Sequence, residues 1–311
     1  MHIRVLGSAA GGGYPQWNCN HPNSRRARAG DPDAPQRTQS SIAVSCDGRH
    51  WLLCNASPDL RQQINDNPVL QPAADGPLRA SPIQAVMLTN ADVDHVTGLL
   101  SLRESQAFNL YATRRVLDVL AANSIFNVLN PAFVQRRPVT LERAFEPLRA
   151  DGAPLGCSVT AFAVPGKVAL WLEDAQRGVD VGAVTEDTVA LEIRDDATGR
   201  RFYYIPGCAR MTPELAARLR GAALVFFDGT LWVDDEMIRD GVGVKTGNRM
   251  GHLSVSGPDG TLAAFEGLDV ARRIFIHINT TNPILIAGTP ERRAVEAAGW
   301  EVACDGMQIE I

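Results

Sequence analysis

Short runs rich in β-branched and aromatic residues recur along the chain, at 2–8, 41–46, 51–56, 83–89, 188–193, 202–206, 223–228 and 273–279, with helical stretches between them. Strands that alternate with helices bury their apolar faces by stacking in layers, so an α/β fold is expected. Two helices are marked at both ends. Thr212 and Thr289 stand as N-caps, each followed by Pro, and Gly221 and Gly299 stand where those helices should stop. The Pro-, Gln- and Arg-rich stretch 21–39 and the weakly patterned stretch 166–187 read as loops. No internal repeat or low-complexity tract divides the 311 residues. One domain, 1–311, is the simplest partition, with β-rich halves at roughly 1–165 and 188–311.

Several of these strands end in polar groups where a core should close. "IQAVML" runs into "TNADVDH" at 89–95, which sets Asn90, Asp92, Asp94 and His95 at a strand terminus. "LVFFDGT" ends in Asp228, and the alternation in "RIFIHINTTN" places Ile274, Ile276 and Ile278 on one face and Phe275, His277 and Asn279 on the other. Each has an ordinary explanation taken alone: Asp92 or Asp94 capping a helix near Val96, Asp228 in a turn, His277 as a satisfied core histidine. Together they are costly, because several buried carboxylates need a cation or donors to offset their desolvation. Sites in α/β sheets gather beyond the carboxyl ends of strands, which is where these residues fall.

The hydrophobic content, 45%, is ample for a core, and a net charge of −5 gives no general attraction to nucleic acid or anionic lipid. The basic cluster at 25–30 is short. The N-terminus lacks the apolar stretch of a secretory signal and no apolar run is long enough to span a bilayer, so a cytoplasmic protein without membrane insertion is expected. The cysteines at 19, 46, 54, 157, 208 and 304 form no CxxC pair and read mostly as buried thiols. His2 and His50 lie at strand edges and read as ordinary surface residues. "GSAAGGG" lacks the Gly-Lys-Ser/Thr of a phosphate cradle and reads as a tight loop approaching the site.

In order along the chain, these segments resemble the metallo-β-lactamase superfamily. "TNADVDH" is similar to its HxHxDH signature, with Asn90 and Asp92 where the first two histidines stand and Asp94 and His95 matching. "VPGK" resembles the segment that ends in a third histidine, with Lys167 there instead. "FFDGT" resembles the bridging-aspartate strand, "MGHLSVSG" with His252 the Gly-His loop of the ribonuclease Z branch, and "FIHINTTNP" the strand bearing the last metal histidine. Longer stretches, among them "VLGSAAGGGYPQWNCN", "LCNASPDLRQQ", "DGTLWVDDEM" and "HINTTNPIL", are similar to the PqqB family of pyrroloquinoline quinone (PQQ) biosynthesis proteins. The resemblance implies a four-layer αβ/βα sandwich, two β-sheets flanked by helices.

It also implies a ligand set. The first metal position maps to Asn90, Asp92 and Lys167, where a poor ligand and an ammonium oppose a cation. The second maps to Asp94, His95 and His277, with Asp228 as a fourth ligand or as an acceptor orienting a histidine or water. One metal is expected. Two imidazoles and a carboxylate suit non-heme Fe(II) and O2, although zinc accepts the same donors. Loss of the two-metal clamp argues against superfamily hydrolysis. The family resemblance implies iron- and O2-dependent hydroxylation of the tyrosine ring of a Glu/Tyr-derived precursor, a small molecule or short peptide. His252 would act on the bound oxygen species or the phenol proton. Asn90 and Asp92, counted with His252 among the catalytic residues, would line the vacated metal position and bind substrate, and Lys167 and Asn279 would contact substrate. Other proteins of the pathway are the partners this allows, and a carrier of PQQ or its precursor toward export is the alternative. Family members often carry CxCxxC near residue 19; here the positions are Cys19, His21 and Ser24, with no fourth ligand visible, which disfavours structural zinc.

Overall fold

The computed structural model describes residues 1–168, 172 and 186–311; most of the segment expected as a loop at 166–187 lies outside the described residues. The strands, in chain order, are β1 (His2–Gly7), β2 (Ser41–Ser45), β3 (Trp51–Cys54), β4 (Ile83–Met87), β5 (Phe108–Thr113), β6 (Val134–Val139), β7 (Cys157–Ala163), β8 (Val189–Asp195), β9 (Arg201–Ile205), β10 (Val225–Asp228), β11 (Arg273–Ile276), β12 (Trp300–Val302) and β13 (Gln308–Glu310). The helices are α1 (Pro22–Arg28), α2 (Leu60–Asp66), α3 (Val93–Val96), α4 (Arg114–Ala121), α5 (Pro213–Leu219), α6 (Glu236–Arg239), α7 (Thr261–Ala264) and α8 (Pro290–Ala297).

Two sheets form, in the orders β13-β1-β2-β3-β4-β5-β6 and β12-β11-β10-β9-β8-β7. Their inner faces meet in one core, where Ile3, Val44, Leu52 and Met87 of the first sheet pack with Val159, Leu191, Phe226 and Ile276 of the second. The outer face of the first sheet buries Leu53, Val86 and Leu110 against Leu60 of α2 and Val116 and Leu120 of α4. The outer face of the second buries Phe227 and Phe275 against Leu215 and Leu219 of α5 and Val295 of α8. The result is the expected layering of helix, sheet, sheet and helix. The last strand, β13, pairs antiparallel with β1, so the first sheet contains both ends of the chain.

β3 to β6 run parallel, as do β9 to β12. Their carboxyl ends therefore collect at one rim of the sandwich, and the segments after β4, β10 and β11 are neighbours there. Both marked helices form where their caps predict. The Thr212 hydroxyl accepts from the Leu215 amide and that of Thr289 from the Arg292 amide, and Gly221 and Gly299 take left-handed φ of 69° and 75° just past the ends.

Three expectations are corrected. The stretch 21–39 contains a helix, α1, which the Pro at its first position starts and whose N-cap is His21. β5, β6, β7, β12 and β13 were not legible as strands. β6 reads VQRRPV, without alternation, because it is an edge strand where charges and a Pro are tolerated. The run 273–279 is strand only to Ile276: His277 has φ 59°, in the left-handed region. That residue turns the alternation over, so Ile274 and Ile276 face the core between the sheets while Ile278 joins Phe275 in the outer one.

Candidate metal centre

Asp94 and His95 sit on α3, which begins at Val93 rather than near Val96; Asp92 is at its N-cap position, but its carboxylate makes no cap bond. The Asp94 Oδ2 lies 3.1 Å from His277 Nε2 and 3.9 Å from His95 Nε2, and the two imidazole rings meet edge to face at 5.3 Å. His95 is 2% exposed and His277 is 5% exposed. Among the described residues, Asp94, His95 and His277 bring three ligand atoms within 4.8 Å of one another. Burial alone would raise the Asp94 carboxyl, but the neighbouring His95 and His277 imidazoles hold it below the ordinary range. Desolvation pushes His95 down, keeping it neutral, the form that coordinates metals. For His277 burial works the same way, yet the Asp94 carboxylate outweighs it and the net shift is upward.

The fit to a cation can be tested on one atom. His95 Nδ1 lies 2.8 Å from Asn90 Oδ1, which also accepts the Asp92 amide, so this oxygen is an acceptor and His95 Nδ1 carries the proton. The lone pair is then on Nε2, which is buried and has no hydrogen-bond partner. An orphaned buried acceptor is costly, and a cation shared with Asp94 and His277 would satisfy it.

Asp228 ends β10 fully buried, at 0% exposure. Its Oδ2 accepts from the Cys208 amide at 3.0 Å and from His252 Nδ1 at 2.7 Å; its Oδ1 accepts from the Thr230 amide at 3.0 Å and the Thr230 hydroxyl at 2.6 Å. A carboxylate offers about four lone-pair positions, and all four are engaged. Of the two roles open to Asp228, this geometry favours the acceptor that orients imidazoles. Asp228, His252 and His277 form the second cluster of ligand atoms, and the His252 and His277 rings stack at 5.1 Å and 22°.

Two residues of the position expected to hold no metal also converge. Lys167 Nζ lies 3.7 Å from Asp92 Oδ2, with side chains 10% and 22% exposed. An ammonium thus stands beside the carboxylate that a cation at this position would otherwise use. Lys167 is not a solvated surface lysine.

Asn90, Asp92, Asp94, His95, Lys167, Thr230, His252 and His277 face one cavity of about 540 Å³, with Asp228 buried behind its wall. Ala10, Gly11 and Gly12 of the glycine loop form part of its wall. A Cβ on Gly11 would come within 3.4 Å of the Asp94 carboxylate, so the loop passes close to the centre. Opposite lie Met237, Val244, Lys245 and Met250, from the segment that leads to His252. Asn279 lines the cavity and donates through Nδ2 to the Thr281 hydroxyl at 2.7 Å; Thr281 in turn donates to Glu236. Burial pushes Glu236 up to about 7. Neither Thr230 nor Glu236 was expected from sequence; a hydroxyl two residues after a strand-ending aspartate, in "FFDGT", was the available signal for the first.

Cys19 and His21 lie away from these clusters. His21 Nδ1 caps α1 at the Asn23 amide, its Nε2 lies 3.2 Å from Asp240, and its own amide donates to Cys19 Sγ at 3.4 Å, whereas Ser24 bonds Thr280. Cys46 is half-buried and Cys304 exposed; the other four are buried thiols. His2 and His50 are on the surface as expected but are paired, with Glu310 at 3.0 Å and Asp47 at 2.6 Å.

A model of the β-lactamase superfamily domain matches residues 50–278. The coenzyme PQQ synthesis protein B of Gluconacetobacter diazotrophicus is 58% identical over 99% of both chains, and that of Xanthomonas oryzae pv. oryzae 56% identical over the full length of both. Among solved structures, the zinc-bound PqqB of Methylobacterium extorquens superposes with a TM-score of 0.94 at 53% identity, covering 100% of both chains. A diphosphatase of the PhnP family shares the fold at a TM-score of 0.67 and 19% identity. The expectation against structural zinc finds no support in the zinc-bound relative. No helix among the described residues is long and apolar enough to cross a membrane.

Proposed function

This chain belongs to the coenzyme PQQ synthesis protein B family of the β-lactamase superfamily, and from that premise we propose that it acts in PQQ synthesis as an iron- and O2-dependent hydroxylase of a tyrosine ring. The observation that carries the reading is the donor set: two imidazoles and one carboxylate converge, with a buried His95 Nε2 that has no other partner. That set leaves coordination positions open, as Fe(II) oxygenases require. Fe(II), when bound, would supply the activation of O2.

The remaining work falls to the chain itself. Asn90 holds His95 with Nε2 facing Asp94. His252 gives its Nδ1 proton to Asp228, so its Nε2 is the nitrogen left to take the phenol proton from a ring in the cavity. Lys167 and Lys245 line the same cavity and would bind the carboxylates of a Glu/Tyr-derived substrate. The apolar Met237, Val244 and Met250 supply the surface on which an aromatic ring can pack while water is excluded.

The test is anaerobic reconstitution with Fe(II), followed by O2 and a Glu-Tyr substrate. Formation of a catechol supports the hydroxylase. Tight binding of PQQ without turnover supports the carrier alternative instead. Cleavage of an ester or phosphodiester by the zinc-loaded protein would return the chain to hydrolysis, which the Lys167–Asp92 pair argues against.

A further inference from the structure

The turn after β10 is built so that one hydroxyl reaches two imidazoles. Gly229 has to be glycine, since a Cβ there would come within 2.9 Å of the Phe275 Cβ, and this close passage carries Thr230 over the end of β11. His277 leaves that strand in the left-handed region, a conformation that costs a non-glycine residue of order 1–3 kcal/mol and persists only when neighbours hold it. The backbone is held on both sides of it: before it the Ile276 carbonyl accepts from the Gly229 amide at 2.8 Å, and after it the Ile278 amide donates to the Ser8 carbonyl at 2.9 Å and the Asn279 amide to the Thr230 carbonyl at 3.0 Å. The strained residue is thereby aimed across Thr230.

Around the Thr230 Oγ1 lie Asp228 Oδ1 at 2.6 Å, the His277 carbonyl at 2.9 Å, His277 Nδ1 at 2.9 Å and His252 Nδ1 at 3.1 Å. A hydroxyl has one hydrogen and two acceptor lone pairs. The hydrogen goes to the shorter, charge-assisted contact, the Asp228 carboxylate. Both lone pairs are then acceptors, and the ring nitrogens that face them must carry protons. His252 Nδ1 has a nearer acceptor in Asp228 Oδ2, at 2.7 Å, whereas His277 Nδ1 has only the Thr230 oxygen among the described residues.

We propose that Thr230 is the positioning residue of this centre: its hydroxyl, polarised by Asp228, fixes a proton on His277 Nδ1 and so leaves Nε2, which faces Asp94 Oδ2 at 3.1 Å, as the nitrogen that a cation would take in place of its proton. The same contact steadies the stacked His252, so one side chain sets the metal-binding imidazole and the proton-handling one together. Asp228 then acts on the centre through Thr230 and His252. The inference rests on the preceding reading only in taking His277 as a ligand, and it holds for iron or zinc.

Thr230→Val keeps the shape and removes the acceptor; Thr230→Ser keeps the hydroxyl. Metal affinity is read by competition between the full-length protein and a chromophoric chelator for Zn(II) and, without air, Fe(II). Thr230→Val is expected to bind about 10- to 100-fold more weakly, and Thr230→Ser within about threefold of wild type. In the zinc-loaded wild type, nitrogen-15 NMR of the histidines should show His277 with a protected Nδ1 proton and a coordinated Nε2. A Thr230→Val protein that binds metal like wild type, a Thr230→Ser protein that binds no better than Thr230→Val, or coordination through His277 Nδ1 would overturn the assignment. Should Thr230→Val fail to fold, the Thr230→Ser titration and the wild-type NMR decide. Intact Thr230 dependence without catechol formation would sink the hydroxylase and leave this role standing, while catechol formation by a Thr230→Val protein of undiminished affinity would do the reverse.

Discussion

The Oδ1 of Asn90 stands 2.8 Å from the Nδ1 of His95, so the residue that replaces a histidine of the superfamily signature holds a neighbouring histidine in its metal-binding tautomer. Asn90 has exchanged one task for another. The same oxygen also accepts the Asp92 amide and thereby shapes the turn into α3.

Asn90→Ala should weaken metal binding by about 10- to 100-fold, because His95 loses the acceptor that holds its proton on Nδ1 and the lone pair is no longer fixed on Nε2. Asn90→Asp, which keeps an acceptor, should lose much less. Metal titrations of the two variants measure the difference, and equal affinities would show that the tautomer does not depend on this oxygen.

His277→Ala should abolish iron retention after gel filtration, since it removes one of three converging ligand atoms. His50→Ala should retain iron like wild type, because His50 is bonded to Asp47 at a strand edge. Iron content per protein, measured by elemental analysis, compares them, and equal retention removes His277 from the ligand set.

The Lys167–Asp92 pair predicts what a second metal would need. Changing Asn90, Asp92 and Lys167 all to His removes the ammonium and supplies three imidazoles, so zinc stoichiometry should rise from about one to about two per chain. Lys167→Ala alone should leave the stoichiometry unchanged while weakening the binding of a carboxylate-bearing substrate. Elemental analysis and substrate titration read the two effects, and a stoichiometry that stays near one in the triple variant refutes the account.

Glu236 predicts a pH dependence of stability. Its folded-state pKa is raised from 4.5 to about 7 by burial, with the charge of Asp240 adding to it, so the folded protein prefers the neutral acid. Below about pH 4.5 both states are protonated and there is no penalty. As pH rises through this window the unfolded chain ionises first, and the folded state loses up to about 3 kcal/mol. Glu236→Gln removes that slope: its stability relative to wild type should increase between pH 5 and pH 8 in denaturant titrations. A difference independent of pH would place the Glu236 pKa near its ordinary value.

Much of this molecule follows from local chemistry. Thr212-Pro and Thr289-Pro start helices because a hydroxyl and a fixed φ satisfy the first turn without outside help. The buried strands β4, β10 and β11 are legible because parallel strands covered on both faces read as short, mostly apolar runs. The ligand types at their ends are legible too, since polar side chains after such strands have few other uses. β6 was not, because an edge strand is under no pressure to alternate. Nor was the turnover at His277, where the left-handed backbone is imposed by contacts with the Thr230 carbonyl and Ser8, far away in sequence.

The sequence by itself determined which side chains carry good donors for a cation: Asp94, His95 and His277 do, whereas Asn90 is a poor ligand and the Lys167 ammonium repels one. Tertiary structure alone decided how they are oriented. Hydrogen bonds are directional, and the partners that set each imidazole, Asn90 for His95 and Thr230 with Asp228 for His277 and His252, are brought into place only when strands from both sheets end at one rim. Residue identity fixes the number of lone pairs, and packing fixes where they point.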